Sequence, residues 1–391
     1  MKILFIHNQY QKEGGEDLAV ELESKLLTEK GHITKVLLFN NNEIDSRWNK
    51  IRFGLQSIYN IYSFKKIALV IKAFNPDVIH VHNIFFRISP SVFFLAKALK
   101  IPIVLTLHNY RLICCNALLL RNDSICELCI KKKFPLEGVK YKCYRSSIID
   151  SAVTTTITSI HKLIGTWRNK VDKYISLTEF SRKIILSSSL RINPEKVTVK
   201  ANFVSDFGEG IWPREDFFLF VGRISPEKGV SLLLDAFSLL PEKKLILIGE
   251  GPDKDRLYNK YKNFTNVTFL GKQLKSEVIA YMKRSRALIF PSIWYEGLPF
   301  TIIEAFSTGT PVIATKLGAM NELINNDYNG FHFENGNVND LKECLIKFEA
   351  QYSQRRLYIN SRDTYLRQYH PDIQYQNILK IYNEVILKKN E

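Results

Sequence analysis

Short apolar runs alternate with stretches whose apolar positions recur at helical spacing, and this rhythm persists through most of the chain. In the first half the runs are Ile3 to Ile6, Thr34 to Leu38, Val78 to Val81, Ile103 to Leu107 and, after an interruption, Tyr174 to Leu177 and Val197 to Val199. Helical patterns separate them, from about Gly15 to Lys30, up to Phe74, from Pro90 to Leu99 and onward from Glu179. Continuous apolar strands between amphipathic helices predict a parallel sheet covered on both faces. A second set follows the polar, Gly- and Pro-bearing stretch Asn202 to Pro213: Phe217 to Val221, Leu245 to Ile248, Val267 to Leu270, Ala287 to Phe290, Pro311 to Thr315 and Gly330 to Phe333. The expected fold class is therefore α/β, with two doubly wound domains facing each other and ligands held at the carboxyl ends of their strands.

The implied boundaries are an N-terminal domain over 1–200 with a cysteine-rich insertion at 111–146, a linker over 201–214, a second domain over 215–370, and a terminal helix over 371–391. That helix, with Ile378, Ile381, Tyr382 and Val385 at helical spacing, can dock on either domain. A length of 391 residues agrees with two domains.

Charge changes the picture. Residues 1–200 hold 31 Lys/Arg against 16 Asp/Glu, whereas residues 201–391 hold 24 against 23, so nearly all of the +16 net charge belongs to the first half. Between Arg47 and Lys100 nine basic residues face the single acid Asp77, interleaved with Trp48, Phe53, Ile58, Tyr59, Tyr62 and Phe64. Such a stretch suits an anionic membrane surface, or is a solvated basic face over a core stripe. No nucleic-acid module accompanies the charge, so no nucleic-acid partner is expected. No window approaches 18 uninterrupted apolar residues, and Met1 to Ile6 turns polar at His7-Asn8-Gln9 too soon for a signal peptide. The expected location is the cytoplasm, peripheral on the inner face of the cell membrane.

Five of six cysteines lie close together in sequence: Cys114, Cys115, Cys126, Cys129 and Cys143. Cys126-x-x-Cys129 with Cys114 or Cys115 and Cys143 offers four thiolates to a structural zinc; reduced free thiols are the alternative. Cys344 reads as core.

The candidate chemistry centres on Pro291 to Pro311, where Glu296 stands at a helix mouth and Glu304 follows eight positions later, about 12 Å along a helix. Gly297-Leu298-Pro299 opens that helix, since proline is tolerated in the first turn. Arg223 and Lys228 flank the turn Gly222 to Gly229 before another helix, a combination of cations and helix dipole that favours an anion such as a diphosphate leaving group. Gly14-Gly15 lets backbone approach a ligand, or is simply a flexible turn. Gly249-Glu250-Gly251-Pro252 either admits a flat base or is an ordinary strand-to-helix turn. His108 ends its strand and can bond a sugar hydroxyl or a phosphate, His82 is the better cleft candidate of the pair His80 and His82, and His80 reads as packed.

Taken together, Glu296-x7-Glu304, Gly222-Arg223 with Glu227-Lys228-Gly229, Gly249 to Pro252 and Gly14-Gly15 resemble the retaining glycosyltransferases of family 4, with the GT-B fold of two Rossmann-like domains. Asp77 to Asn83 with His108-Asn109-Tyr110 is similar to bacterial polysaccharide and lipopolysaccharide members. The resemblance implies that Arg223 and Lys228 hold the donor diphosphate, Glu304 the ribose, and Glu296 with the segment Gly297, Leu298, Pro299 and Phe300, whose N–H groups other than that of the proline are donors, the donor sugar. It further implies that Gly15, beside Gly14, approaches the phosphates, Gly249, Glu250, Gly251 and Pro252 border the base, and His108 reaches a hydroxyl near the reacting carbon; His82 and Asn83, at their strand end, are the candidates for the acceptor side. Catalysis would rest on Glu296, His108, Arg223 and Lys228, need no metal cofactor, and move a sugar from a UDP-sugar, or a GDP-sugar in second place, to a lipid-linked or cell-surface glycan. A nucleotide-sugar epimerase or sugar-phosphate synthase on the same fold is one rival reading, and a non-enzymatic basic membrane- or nucleic-acid-associated protein the other. The cysteine insertion departs from the general family pattern.

Overall fold

The structure is a computed structural model that describes residues 1–9, 14–40, 57–351 and 355–390. Trp48 and Phe53 of the basic stretch lie outside the described residues. The chain divides into two compact units, Met1–Arg121 with Cys126–Asn202 and Gln374–Glu391, and Phe203–Ile373 with the short segment Asn122–Ile125.

The first unit is built on six parallel strands: β1 (Lys2–Gln9), β2 (Ile33–Asn40), β3 (Val78–Val81), β4 (Ile103–Leu107) and, after the insertion hairpin β5 (Leu120–Arg121) and β6 (Ser124–Ile125), β7 (Lys173–Ser176) and β8 (Val197–Val199). Their order is β2-β1-β3-β4-β7-β8, so the winding reverses between β1 and β3. Strands β3, β4 and β7 are buried along their whole length, which is why they show no polar alternation, and their few polar residues, His80, Thr106, Lys173 and Ser176, are buried with them. The terminal helix Pro371–Asn390 completes this core. Ile378, Ile381, Tyr382 and Val385 pack with Ile3, Phe5, Val78, Val104 and Ile175.

One long helix defeats the periodicity of the sequence. Ile148–Leu163 forms sixteen helical residues from a Ser/Thr-rich segment. The Ser147 hydroxyl caps it by accepting from the Asp150 amide, and Thr154 and Thr158 donate back to the carbonyls of Asp150 and Thr154 at 2.9 and 3.2 Å. Buried hydroxyls satisfied in this way sit on the helix's inner face where hydrocarbon is expected. Trp167, buried just beyond, donates its indole N–H to the Thr158 carbonyl at 3.4 Å.

In the second unit the strands are β9 (Phe218–Val221), β10 (Leu245–Ile248), β11 (Val267–Gly271), β12 (Leu288–Phe290), β13 (Val312–Thr315) and β14 (Gly330–Phe333), all parallel. The order β11-β10-β9-β12-β13-β14 is the doubly wound arrangement, and its reversal lies between β9 and β12. The stretch after Asn202 is pinned rather than loose: the Asp206 carboxylate takes both Arg362 nitrogens at 2.6 and 2.7 Å, and the Tyr365 hydroxyl donates to the Val204 carbonyl. No helix among the described residues is long and apolar enough to cross a membrane.

Candidate functional site

In the second unit both loops that leave the reversal point carry candidate residues of the sequence analysis. The loop after β9 runs through Arg223 and a short 3-10 turn, Pro226–Lys228, into the helix Val230–Ser238. The loop after β12 carries Glu296 to the helix Phe300–Ser307, whose N-cap position is held by Pro299. Lys228 Nζ donates to Glu296 Oε1 at 2.6 Å, and the same oxygen accepts from the Ser292 hydroxyl at 2.7 Å and the Trp294 indole at 2.8 Å. The Glu296 side chain is 8% exposed and that of Lys228 21%, so the pair stands at the floor of the loops with the ammonium outermost. Lys228 also lies over the rings of Phe290 and Trp294. Arg223, mostly exposed, pairs with Glu227, and the Ser225 hydroxyl donates to the same carboxylate at 2.7 Å.

The two loops are stitched by backbone. Ile293 N–H donates to the Glu227 carbonyl, and the Ser292 hydroxyl oxygen lies 3.2 Å from the same carbonyl. Gly229 has φ +67 and approaches so closely that a Cβ there would stand 1.9 Å from the Pro291 carbonyl oxygen. A glycine is required by the contact itself. Gly249 has the same explanation: a Cβ would lie 1.8 Å from the Gly222 carbonyl oxygen, so packing between the turns after β9 and β10 demands the glycine that the sequence offers to a base. Glu304, 4% exposed, is paired with Lys275 at the start of the helix Lys275–Arg284. Lys275, Ser292 and Trp294 escaped the sequence reading; the last two lie inside the Glu296 loop, and a hydroxyl and an indole N–H beside a carboxylate were the available signal.

In the first unit, Gly14 and Gly15 begin the helix Gly15–Glu29, with the Gly14 amide donating to Asp17 Oδ2 at 2.9 Å. The backbone at Gly14 is extended, and a Cβ there would meet only the Asp17 carboxylate at 4.0 Å, so neither packing nor conformation calls for this glycine. Asp17 also holds His7 Nε2 at 2.9 Å. His7, Gly14, Asp17, Val36 and Leu38 are among the residues that border a cavity of about 530 Å³.

Around the reversal between β1 and β3 stands a group of histidines. His80 Nδ1 lies 2.7 Å from the Tyr382 hydroxyl and 2.9 Å from Glu23 Oε1, and His80 Nε2 lies 2.8 Å from the Thr106 hydroxyl. Lys200 Nζ donates to Glu23 Oε2 at 2.7 Å. His82 Nδ1 meets His108 Nε2 at 2.8 Å, the rings stacked with centroids 5.1 Å apart. The expectation that His82 and Asn83 open toward an acceptor needs correction, since both are 5% exposed. The Asn83 amide is spent on the Asn8 carbonyl and the Phe85 N–H, and His82 on His108. His80 is packed, and His108, at the end of β4, is part-exposed.

Burial and, next, the charge of His7 move His108 down to about 3, with smaller contributions from His80 and Lys200, against an opposing pull from Glu23; burial and the charges of His80, His108, His7 and Lys200 hold His82 well below its ordinary value. Both rings are therefore neutral in the folded protein and protonate near 6.5 once unfolded. A base whose folded pKa is depressed contributes stability that is complete above the unfolded pKa and is lost as pH falls toward the folded one. Acidification from pH 6.5 to about 5.5 is thus expected to cost about 2 kcal/mol from these two rings, read as a falling denaturation midpoint. A midpoint insensitive to pH over that window would contradict the neutral assignment.

Among the described residues, the group of metal-binding side chains with donor atoms in mutual reach is Glu23, His80 and His82, within 4.8 Å of one another. Lys200 already supplies the cation there, and both His80 nitrogens are engaged. The structure does not draw Cys114, Cys126, Cys129 and Cys143 into such a set, although thiolates sharing one zinc at about 2.3 Å would stand closer than 4.8 Å to each other. The Cys114 thiol instead donates to Asn116 Oδ1 at 2.9 Å, and burial pushes the Cys129 and Cys115 thiols up to about 12. Cys344 is a buried core residue.

Residues 205–364 match the family model for Glycosyl transferases group 1. An uncharacterised glycosyltransferase of Methanocaldococcus jannaschii is 28% identical over 361 residues, covering 89% of this chain and 88% of that protein. The UDP-Gal:alpha-D-GlcNAc-diphosphoundecaprenol alpha-1,3-galactosyltransferase of Escherichia coli is 28% identical over 190 residues, 42% of this chain and 48% of that protein. The solved structure of HepE from Anabaena in complex with UDP shares the fold, with TM-score 0.69 and 16% identity over 98% of this chain and 100% of that one. The fold is that of the GT-B structures, and the likeness to group 1 glycosyltransferases is carried by residues 205–364 and by relatives such as the M. jannaschii protein.

Proposed function

We propose that the chain is a retaining, metal-independent glycosyltransferase of family 4 that moves a sugar from a nucleoside diphosphate sugar, a UDP-sugar before a GDP-sugar, to a hydroxyl of a lipid-linked or cell-surface glycan. The observation that carries this reading is the Lys228–Glu296 pair at the reversal point of the second sheet, with Arg223 on the same loop and a helix beginning just beyond. Anionic leaving groups are stabilised where fixed cations and helix N-termini converge. In the proposed step the bond from the anomeric carbon to the diphosphate oxygen breaks, Lys228 and Arg223 take up the charge left on the diphosphate, and the acceptor oxygen bonds to the same face of the sugar. The acceptor's proton passes to a phosphate oxygen. Glu304 is assigned to the ribose hydroxyls, Glu296 to the sugar, and His108 to a hydroxyl beside the reacting carbon.

The preference for uridine follows the UDP that the HepE structure holds and the UDP-Gal in the name of the E. coli relative. A lipid-linked acceptor follows the diphosphoundecaprenol in that name and one surface of this chain: the helix Ile61–Phe74 exposes Ile61, Tyr62 and Leu69 beside Lys65, Lys66 and Lys72. Cations interleaved with apolar side chains suit an anionic membrane face, which also agrees with a peripheral location in the cytoplasm. A thermal-shift panel of nucleoside diphosphates and their sugars tests the donor reading. UDP and one UDP-sugar should raise the melting temperature at millimolar concentration while nucleoside monophosphates do not. A protein that no diphosphate stabilises is not this enzyme. Conversion of a nucleotide sugar in the absence of any acceptor would favour the epimerase.

A further inference from the structure

His82 Nδ1 and His108 Nε2 stand 2.8 Å apart, and both rings are neutral, so one of these nitrogens carries the shared proton and the other accepts it. The remaining nitrogen of His82 decides which. His82 Nε2 is buried and, among the described residues, has no hydrogen-bond partner. Glu23 lies nearby, with Oε2 accepting from Lys200 and Oε1 standing 2.9 Å from His80 Nδ1, but neither oxygen is hydrogen-bonded to His82 Nε2. If His108 donated, His82 would keep its proton on Nε2 as an orphaned buried N–H, which costs about 1–3 kcal/mol and is rarely tolerated. If His82 donates from Nδ1, Nε2 is only an unshared lone pair, the milder deficit. His108 then accepts at Nε2 and must carry its own proton on Nδ1, the nitrogen that has no partner among the described residues.

We propose that His82 is a positioning residue that fixes His108 as the tautomer with Nδ1–H outermost, so that His108 presents a hydrogen-bond donor and not an acceptor to its ligand. The ligand atom must therefore be an acceptor, a sugar hydroxyl oxygen or a phosphate oxygen. The stacking of the two rings holds the plane of His108, and His80 lies against the other ring with centroids 4.3 Å from His82. His80 is itself locked by Thr106, Tyr382 and Glu23, so the orientation is anchored in the core of the first unit. The consequence for catalysis rests on the glycosyltransferase reading; the tautomer does not.

Side-chain nitrogen NMR on histidine-labelled full-length protein reads the tautomer directly. The His108 resonances, assigned through a His108→Gln variant, should show a protonated Nδ1 and an unprotonated Nε2 near pH 7.5. A protonated Nε2 overturns the proposal whatever the enzyme does. His82→Phe removes the donor, and His108 should then lose its single tautomer while kcat falls about tenfold or more with the donor KM little changed. His82→Asn, which keeps an amide where Nδ1 stood, should restore most of kcat. A His82→Phe protein that keeps the Nδ1–H tautomer overturns the positioning role. Should His82→Phe fail to fold, the parent spectrum alone decides. The predicted tautomer in a protein that transfers no sugar would sink the function and leave the inference standing.

Discussion

Alanine at Lys228 is expected to lower sugar transfer about 100-fold or more, a loss of about 2.7 kcal/mol at the transition state, while the protein stays folded. Two features separate these effects. Lys228 is part-exposed, so its removal leaves no cavity in the core, and Glu296 retains the Ser292 and Trp294 donors that satisfy the same oxygen. The fold keeps its hydrogen bonds, and what disappears is the ammonium at the helix mouth. Because the charge on the diphosphate grows as the bond breaks, the deficit belongs mainly in kcat, with a smaller change in donor KM. Glu296→Ala should cost a similar factor for a different reason, since it removes a contact to the sugar and frees Lys228 from its carboxylate. Near-normal rates in either variant, with melting temperature unchanged, would overturn the assigned roles. Steady-state kinetics alongside a melting curve makes the distinction.

The architecture was legible because parallel strands covered on both faces have nothing polar to alternate with. Val78–Val81 and Leu245–Ile248 announce themselves as apolar runs, and loops that leave such strands must hold the ligand chemistry. Arg223, Lys228, Glu296 and Glu304 were legible for the same reason: each stands on a loop or helix that a strand end fixes in advance. The helix Ile148–Leu163 was not, because its buried side carries hydroxyls, of which Thr154 and Thr158 return their hydrogen bonds to the preceding turn, and so imitates a polar linker.

Pairings over long sequence distances were the other blind spot. Nothing near Lys200 hints that it is buried against Glu23, 177 positions earlier, or that Tyr382 reaches back to His80. The glycines of the turn after β10 show the converse error: sequence reveals that a Cβ is absent but not which neighbour forbids it. At Gly249 that neighbour is the Gly222 carbonyl. His82 falls between these cases. Its place beside a strand end was readable, but the ring it faces belongs to another strand's loop, and only the fold shows that its nitrogen is spent there.

Glu23→Ala should be among the most destabilising single changes in the first unit, costing about 3 to 5 kcal/mol. Burial acts to raise the Glu23 pKa, but Lys200 and His80 outweigh it and hold the carboxyl at about 2, so the group is ionised across the physiological range. The alanine variant leaves the Lys200 ammonium buried without that counter-charge, and the loss of desolvated attraction far exceeds what a surface pair would forfeit. The same charge accounting predicts repair. Adding Lys200→Met to Glu23→Ala removes the stranded cation, and His80 keeps the Tyr382 hydroxyl and Thr106 as partners, so the double variant should be more stable than Glu23→Ala alone. Hydrogen exchange at the amides of β1 and β3 follows this unit without requiring the whole chain to unfold in one step. If the two substitutions simply add, the buried pair contributes nothing as a pair, and the histidines rest on packing instead of on the charge beneath them.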